Sequence, residues 1–215
     1  MSWTLPQPML AAPVNSPALP TGCAAEAKWD GFRCLLARYA DGRVLLKSRR
    51  GTNMTHAFPE IEHTPATLEP GVLLDGEAVI YREGRLDFGA VHSRASAGAA
   101  RASALIRKLP ASYAGSALIR KLPASYAAFD ILHHPAHGGD PRTRPYRERR
   151  AILVETLAPL GPPLQAVPMT QDLDIARQWW EQLRPLGIEG LVLKRLDGAY
   201  PRGRPGAWCV DCTFW

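Results

Sequence analysis

A lysine followed closely by an acidic residue, a glycine and an arginine is the first feature of this chain that could do covalent chemistry. Residues 26–33 read EAKWDGFR, which contains Lys28, Asp30-Gly31 and Arg33. A lysine amine becomes nucleophilic near neutral pH when burial and neighbouring cations lower its pKa from about 10.4. Asp30-Gly31 is expected to form a turn that holds Lys28 at the mouth of a cleft, and Arg33 can bind sugar or phosphate oxygens. A pattern this short fits a surface turn before a strand equally well.

Four further segments with charged or aromatic residues follow Lys28 along the chain. They are Ser48-Arg49-Arg50-Gly51, Leu74-Asp75-Gly76-Glu77, Phe129-Asp130 and Glu189-Gly190-Leu191-Val192-Leu193-Lys194. Each one alone has an ordinary structural interpretation as a turn, a core aromatic residue or the edge of a loop. Their joint occurrence in this order makes these separate interpretations improbable.

Apolar patterns predict the strands that must position these segments. Phe32 to Tyr39 and Arg43 to Lys47 flank Asp41-Gly42, a two-residue turn signal, and predict a β-hairpin. Short apolar runs predict further strands at Val72 to Tyr81, Tyr126 to Leu132 and Ile188 to Leu196.

Two helices are predicted between these strands. They cover Tyr146 to Leu157 and Asp172 to Leu183, where Ile175, Trp179 and Leu183 recur every four residues. Because strands and helices are interspersed irregularly, we expect an α+β fold with antiparallel sheets.

The composition is that of a globular protein with a basic surface. Its 215 residues suffice for one sizeable domain or two small ones, and 46% of them are hydrophobic. No stretch approaches the roughly 18 apolar residues of a membrane helix, so neither membrane insertion nor export is expected. A net charge of +6 suits a polyanionic partner such as nucleic acid.

The cysteines and histidines indicate neither a disulfide scaffold nor a metal site. The four cysteines lack a framework spacing, so a reducing cytoplasm is expected, with Cys23 and Cys34 as small buried hydrophobic residues. Cys209-x-x-Cys212 has the spacing of half a zinc site, but a second pair is missing. Three histidines lie beside a proline and two glycines and are predicted to be solvated loop residues: His133, His134 and His137.

A tandem duplication occupies residues 103–127. Ser103 to Ala114 and Ser116 to Ala127 both read SALIRKLPASYA, with a period of 13. Solenoid repeats are about 20 to 50 residues long and need about three copies, so this is a local insertion. We expect one copy to lead into a strand and the other to loop out at the surface.

The ordered segments resemble the motifs of the covalent nucleotidyltransferase superfamily. EAKWDGFR with EGLVLKR is most similar to the ATP-dependent DNA ligases of bacterial repair systems, and the resemblance runs from about Pro8-Met9-Leu10 to Trp208. It implies the antiparallel-sheet, ATP-grasp-like fold of covalent ligases. It also implies an adenylation domain over residues 1–208, an aberrant tail over residues 209–215 and a missing oligonucleotide-binding (OB) fold domain.

The resemblance assigns roles to individual residues. Lys28 would attack the α-phosphorus of ATP, expel pyrophosphate and hold AMP as a phosphoramidate. The other residues expected to bind ATP are Glu26 beside the purine, Arg33 and Arg49 on ribose and phosphate, Glu77 near the ribose, Phe129 stacked on adenine, and Lys194 balancing the α-phosphate. Glu77 and Glu189 are the expected ligands of Mg²⁺ or Mn²⁺.

The end of the sequence departs from the family pattern. After Trp208 the family continues with a fifth motif that carries two lysines, whereas this chain reads Cys209-Val210-Asp211-Cys212-Thr213-Phe214-Trp215. Cations at that position neutralise charge on the phosphate oxygens. We therefore expect residual ATP binding, weak or absent self-adenylation and very poor nick sealing, unless a separate OB-fold or repair protein completes the enzyme.

Three functional interpretations stay open at this point. The leading one is a cytoplasmic DNA ligase that seals nicked double-stranded DNA in repair or recombination. RNA ligases and capping guanylyltransferases share the KxDG core, so they form the second interpretation. The third is a catalytically impaired remnant that binds a nucleotide or DNA.

Overall fold

Strands dominate the part of the chain that the computed structural model describes, which is residues 5–14, 18–63, 68–96 and 123–211. In chain order the strands are β1 (Leu10–Pro13), β2 (Cys23–Trp29), β3 (Phe32–Arg38), β4 (Val44–Ser48), β5 (Leu73–Arg82), β6 (Arg85–Leu86), β7 (Ala124–His133), β8 (Leu164–Ala166), β9 (Met169–Thr170), β10 (Ile188–Arg195) and β11 (Pro205–Asp211). The α-helices are α1 (Pro59–His63), α2 (Phe88–Ser96), α3 (Tyr146–Leu157) and α4 (Leu173–Gln182). Short 3-10 turns cover Thr55–Ala57, Pro135–His137 and Arg184–Leu186.

These strands form two sheets of mainly antiparallel pairs. The first has the order β1-β11-β10-β2-β9, and the second has the order β4-β3-β5-β7-β8 with β6 paired to β5. The parallel pairs are β1 with β11 and β7 with β8. The predicted α+β class with antiparallel sheets is therefore confirmed.

Alternation along β3 explains how the second sheet is buried on both faces. Cys34 and Leu36 point into one core with α1, α2 and α3, while Leu35 and Ala37 point into another. Because successive side chains of a strand point to opposite faces, one short strand serves both cores. The second core also contains Met9 and residues of β10 and β11, so it joins the two sheets.

The local predictions agree with most of these elements. The hairpin is confirmed as β3 and β4, and the Asp41 carboxylate accepts a 3.1 Å hydrogen bond from the backbone N–H of Arg43 in the turn. The helix predicted from Tyr146 to Leu157 is confirmed as α3, which begins and ends at these residues. Asp172 is the N-cap of α4, because its carboxylate accepts hydrogen bonds from the N–H groups of residues 174 and 175.

The second copy of the duplication opens strand β7. Its last four residues, Ala124 to Ala127, pair with Glu77 to Ile80 of β5. This agrees with the expectation that one copy leads into a strand. Residues 103–122, and with them the prediction of an outward loop, lie outside the described residues.

Two of the cysteines are buried and free, as predicted. Cys23 and Cys34 are 6% and 0% exposed. Burial raises the pKa of the Cys34 thiol far above its usual value, so this group stays protonated and packs as a hydrophobic residue. Within the described ranges, no helix combines the length and the apolar character needed to cross a bilayer.

Candidate active site

Lys28 lies near the end of β2, a strand that runs between β10 and β9. In the register of this pair Lys28 is opposite Gly190, which brings the neighbouring Glu189 to the lysine. The Lys28 Nζ donates a hydrogen bond to Glu189 Oε2 in an ion pair. The two side chains are 26% and 42% exposed, so this pair is at the mouth of the site.

Gly31 lies where the chain passes from the first sheet to the second. A Cβ atom there would lie 2.8 Å from the Ala78 carbonyl oxygen and 2.9 Å from Glu77 Oε2. The Gly31 backbone N–H donates a 3.1 Å hydrogen bond to that same Glu77 oxygen. Glycine is therefore required here, because β5 approaches the backbone too closely for a side chain. Through its N–H group, Gly31 connects the end of β2, which carries Lys28, to Glu77 on β5.

Arg33 is clamped on the second sheet by a buried carboxylate. Its Nε and Nη2 atoms donate to Asp75 Oδ1 and Oδ2 at 3.2 and 2.8 Å. Although burial opposes the charge, Asp75 raises the pKa of Arg33 above its usual value. The guanidinium carbon lies 5.1 Å from the ring centroid of Phe129, which packs the arginine against the aromatic ring.

Glu77 is directly opposite Arg33 in the β3–β5 pairing. Burial raises the pKa of Glu77 to about 7, and the positive charges of Arg33 and Lys28 oppose that shift. A carboxyl group that titrates near neutral pH changes its charge readily when a cation arrives.

Glu26 and Lys194 form a buried ion pair at the opposite end of the cleft from Glu189. Their side chains are 2% and 3% exposed, and Lys194 Nζ lies 2.7 Å from Glu26 Oε2. Lys194 Nζ also donates to the Phe129 carbonyl oxygen at 2.8 Å and lies 4.9 Å from the centroid of the Phe129 ring. Each charge is therefore matched inside the protein.

Tyr146, the first residue of α3, completes this buried end. Its hydroxyl donates a hydrogen bond to Glu26 Oε1. Burial, and then the charge of Glu26, raise the pKa of Tyr146 well above its usual value, so the hydroxyl stays protonated. Tyr146 was not among the predicted site residues, because the start of a helix is the only local signal at its position.

Six of the eight predicted site residues line one cleft between the two sheets, whose cavity volume is about 130 Å³. They are Glu26, Lys28, Arg33, Glu77, Phe129 and Lys194. Apolar side chains form much of the remaining wall, among them Met9, Leu10, Val167 and Val192. An apolar cleft with a few converging charged groups is typical of a small-ligand site.

The other two predicted residues lie beside this cleft. Arg49 is exposed and lines an adjoining cleft, which shares Arg33 and Glu77 with the first. Glu189 reaches the site through its ion pair with Lys28. Burial, and then the charge of Glu189, raise the pKa of Asp30 to about 6, and the two carboxyl groups are hydrogen-bonded.

The prediction of three solvated loop histidines is wrong for His133, which ends strand β7, and for His134. His134 is 6% exposed, and its ring packs edge-on against His137 with 4.6 Å between centroids. His133 lies at the end of β7, and its Nδ1 donates to the Gly71 carbonyl oxygen at 2.7 Å. Among the described residues no group of three or more acidic, histidine or cysteine side chains could hold a metal ion by itself. The Cys209-x-x-Cys212 interpretation involves Cys212, which lies outside the described residues.

The two-sheet fold, with a lysine and acidic side chains in the cleft between the sheets, is the arrangement that the sequence predicts for the class of covalent nucleotidyltransferases. Comparison with known proteins then identifies the family. A profile described as ATP dependent DNA ligase domain matches residues 8–209, and the chain belongs to this family.

Individual relatives agree with this assignment. DNA ligase C2 of Mycolicibacterium smegmatis is 38% identical over 196 residues, which cover 90% of this chain and 50% of that protein. DNA ligase C of Mycobacterium tuberculosis is 35% identical over 193 residues, which cover 87% of this chain and 49% of that protein. The chain therefore spans about half the length of these relatives.

Solved structures give the same fold. A mycobacterial DNA ligase D complexed with ATP and MES superposes with a TM-score of 0.70 at 27% identity, covering 96% of this chain and 60% of the other. The ATP-dependent DNA ligase of bacteriophage T7 in complex with ATP superposes with a TM-score of 0.61. At 20% identity, over 95% of this chain and 68% of the other, the latter supports the fold alone.

Proposed function

We propose that this chain is the adenylation domain of an ATP-dependent DNA ligase, in which Lys28 takes AMP from ATP and passes it to the 5′-phosphate of nicked DNA. The observation that carries the proposal is the convergence of Lys28, Arg33, Glu77 and Phe129 on one cleft between the sheets. These residues come from four strands and are spread over about a hundred positions of the sequence. Unrelated surface residues rarely meet in this way.

The chemical step needs the neutral amine of Lys28. Its Nζ attacks the α-phosphorus of ATP, a phosphorus–nitrogen bond forms, the bond to the bridging oxygen breaks and pyrophosphate leaves. The ion pair with Glu189 favours the ammonium form, so the contact must be exchanged before attack. Arg33, held in place by Asp75, lies on the same cleft wall and binds ribose or phosphate oxygens.

The carboxylates beside Lys28 fit a divalent cation such as Mg²⁺ or Mn²⁺. Mg²⁺ binds one or two carboxylates and completes its coordination with waters and substrate phosphates. Glu189 forms an ion pair with Lys28. Glu77 is close enough to Lys28 for the positive charge of the lysine to lower the pKa of this carboxyl group. A bound cation would neutralise phosphate charge and compete with Lys28 for these acids.

The buried end of the cleft suits the base of the nucleotide. Phe129 offers a ring for stacking, which gives affinity with little discrimination between purines. The Glu26 carboxylate beside it is held by Lys194 and Tyr146. In this proposal Glu26 lies next to adenine, and Lys194 holds the Glu26 carboxylate in place.

The adjoining cleft suits the DNA phosphate. It contains Arg49, Arg50 and Ser48, and it opens beside Arg33 and Glu77. Arginine guanidinium groups bind phosphate oxygens in pairs of hydrogen bonds. The net charge of +6 adds a general attraction to nucleic acid.

The wider role is proposed on the same basis. The free buried cysteines suit a reducing cytoplasm, and the similarity to DNA ligases C suits DNA repair or recombination. Residues 209–211, the end of β11, read Cys-Val-Asp and lack the two lysines of the family's fifth motif. Because cations that would neutralise phosphate charge are replaced there, adenylation by this chain is expected to be slow.

Mass spectrometry after incubation with ATP and Mg²⁺ tests the proposal. An AMP-sized adduct that maps to Lys28 and is lost in Lys28→Ala is the expected result. A GMP-sized adduct from GTP, or transfer to nicked RNA in preference to nicked DNA, would instead favour a capping or RNA ligase activity. No adduct at any Mg²⁺ or Mn²⁺ concentration, with ATP binding retained, would favour a nucleotide-binding remnant.

A further inference from the structure

One tyrosine hydroxyl connects two walls of the cleft without lining it. The Tyr200 hydroxyl donates a 2.5 Å hydrogen bond to Asp75 Oδ2 and accepts a 2.8 Å hydrogen bond from the Met9 backbone N–H. Asp75 is the carboxylate that clamps Arg33, and Met9 begins the segment that forms the wall opposite the second sheet. Tyr200 is 3% exposed and Asp75 is 0% exposed, so water does not replace these contacts.

The hydroxyl is one of three donors to a single buried carboxylate. Arg33 Nε and Nη2 supply the other two. Burial, and then the charge of Asp75, raise the pKa of Tyr200 far above its usual value, so the hydroxyl remains a donor at any physiological pH. The orientation of Asp75, and through it that of Arg33, therefore depends on Tyr200.

We propose that Tyr200 is a positioning residue for ATP binding, which sets the Arg33 guanidinium and the Met9 segment at a fixed separation across the cleft. The inference rests on the proposed function, because it assigns Arg33 to the nucleotide. Its physical basis is preorganisation: a guanidinium held in its binding geometry loses less conformational entropy when the phosphate or ribose arrives.

Packing of the ring can be separated from the role of the hydroxyl. The Tyr200 ring lies in the core between the sheets, and the Arg149 guanidinium carbon is 5.8 Å from its centroid. Tyr200→Phe keeps this packing and removes only the two hydrogen bonds. Tyr126→Phe is the matched control, because that buried tyrosine also loses hydroxyl hydrogen bonds, here to the Cys34 and Leu74 carbonyl oxygens.

The test is a double-mutant cycle on ATP affinity, measured by isothermal titration calorimetry in Mg²⁺ buffer, with thermal melts as a check on folding. Tyr200→Phe is expected to weaken ATP binding about fivefold to tenfold, the usual effect of one or two lost hydrogen bonds, and Tyr126→Phe less than about twofold. In an Arg33→Ala background, or in Arg33→Lys if the alanine variant does not fold, Tyr200→Phe is expected to have no further effect.

Each outcome of this experiment decides whether Tyr200 positions Arg33 or only stabilises the fold. Equal losses of affinity with and without Arg33, or equal effects of Tyr200→Phe and Tyr126→Phe, would reduce Tyr200 to a structural residue and overturn the inference. An unchanged affinity in Tyr200→Phe would overturn it as well, while leaving the Lys28 adduct and the proposed function intact. A wild-type chain that binds no ATP would overturn both.

Discussion

The two ends of the cleft differ in how far their charged side chains are exposed to solvent. At the buried end, Glu26 and Lys194 lie 2.7 Å apart and are almost completely excluded from solvent. At the mouth, Lys28 and Glu189 are partly exposed, and Asp30 and Glu77 both titrate near neutral pH. The ion pair at the buried end is therefore fixed, whereas the charged groups at the mouth can exchange partners.

The largest expected effect is the loss of a charge at the buried end. Glu26→Ala leaves the Lys194 ammonium buried without its carboxylate, which should lower the free energy of unfolding by about 3 to 5 kcal/mol. Glu189→Ala at the mouth is the matched control and should cost less than about 1 kcal/mol. Urea denaturation followed by tryptophan fluorescence measures both, and similar losses in the two variants would remove the distinction between the ends.

The connection between the ends is the next place to test. Gly31→Ala puts a methyl group against the Ala78 carbonyl oxygen and Glu77 Oε2, so a loss of about 1 to 3 kcal/mol is expected, together with slower adenylation of Lys28. Gly89→Ala, in the first turn of α2, would bring its Cβ only to an ordinary 3.4 Å contact with Asp87 Oδ1 and should change the free energy of unfolding by at most about 1 kcal/mol. Urea denaturation and adduct formation test both variants, and an unaffected Gly31→Ala would show that the close approach is not required.

The carboxyl groups at the mouth should also make the free energy of unfolding depend on pH. The pKa of Glu77 is raised from 4.5 to about 7, so its contribution to folding is complete below pH 4.5 and is lost as the pH rises through about 7. Allowing for solvent screening, the expected fall in the free energy of unfolding is on the order of 1 to 2 kcal/mol. Urea denaturation across this range should give a smaller fall in Glu77→Gln, with the remainder due to Asp30. An identical pH dependence in the variant would contradict the assignment.

The smallest expected effect is the loss of one hydrogen bond at the buried end. Tyr146→Phe removes the hydroxyl that donates to Glu26 and should cost about 1 kcal/mol of stability, with slightly weaker ATP binding. Tyr81→Phe is the control, because in the described part of the chain its ring packs edge-on against Trp29 and its hydroxyl has no hydrogen-bond partner. Thermal melts of the two variants should therefore differ, and equal melting temperatures would mean that the hydroxyl does not help to hold Glu26.

The sequence predicted the residues that have a local signature. Lys28, Glu77 and Phe129 belong to short motifs, and the strands that carry the latter two are apolar enough to be recognised. Strand β2 was missed, since its run of alanines interrupted by Glu26 and Lys28 lacks the alternation of a half-buried strand. Strands β1, β6, β8, β9 and β11 and helices α1 and α2 were not predicted either, because most of them are too short to show a period.

Other site residues could not be predicted, because they act through partners far away in the sequence. Asp75 meets Tyr200 across 125 positions, and Tyr146 meets Glu26 across 120. No local pattern specifies such contacts, which depend on how the sheets pack. His134 was assigned to a solvated loop from its glycine and proline neighbours, but tertiary packing buries its ring.

The pairing of Lys28 with an acid 161 positions later has a consequence for biosynthesis. Strand β2 leaves the ribosome early, whereas its neighbours β9 and β10 are translated more than a hundred residues afterwards. Contacts between such distant segments form slowly, because a long stretch of chain must first be brought into register. The Lys28 amine is therefore enclosed in its pocket only after β9 and β10 have been translated, when the strands of the second sheet have already been made.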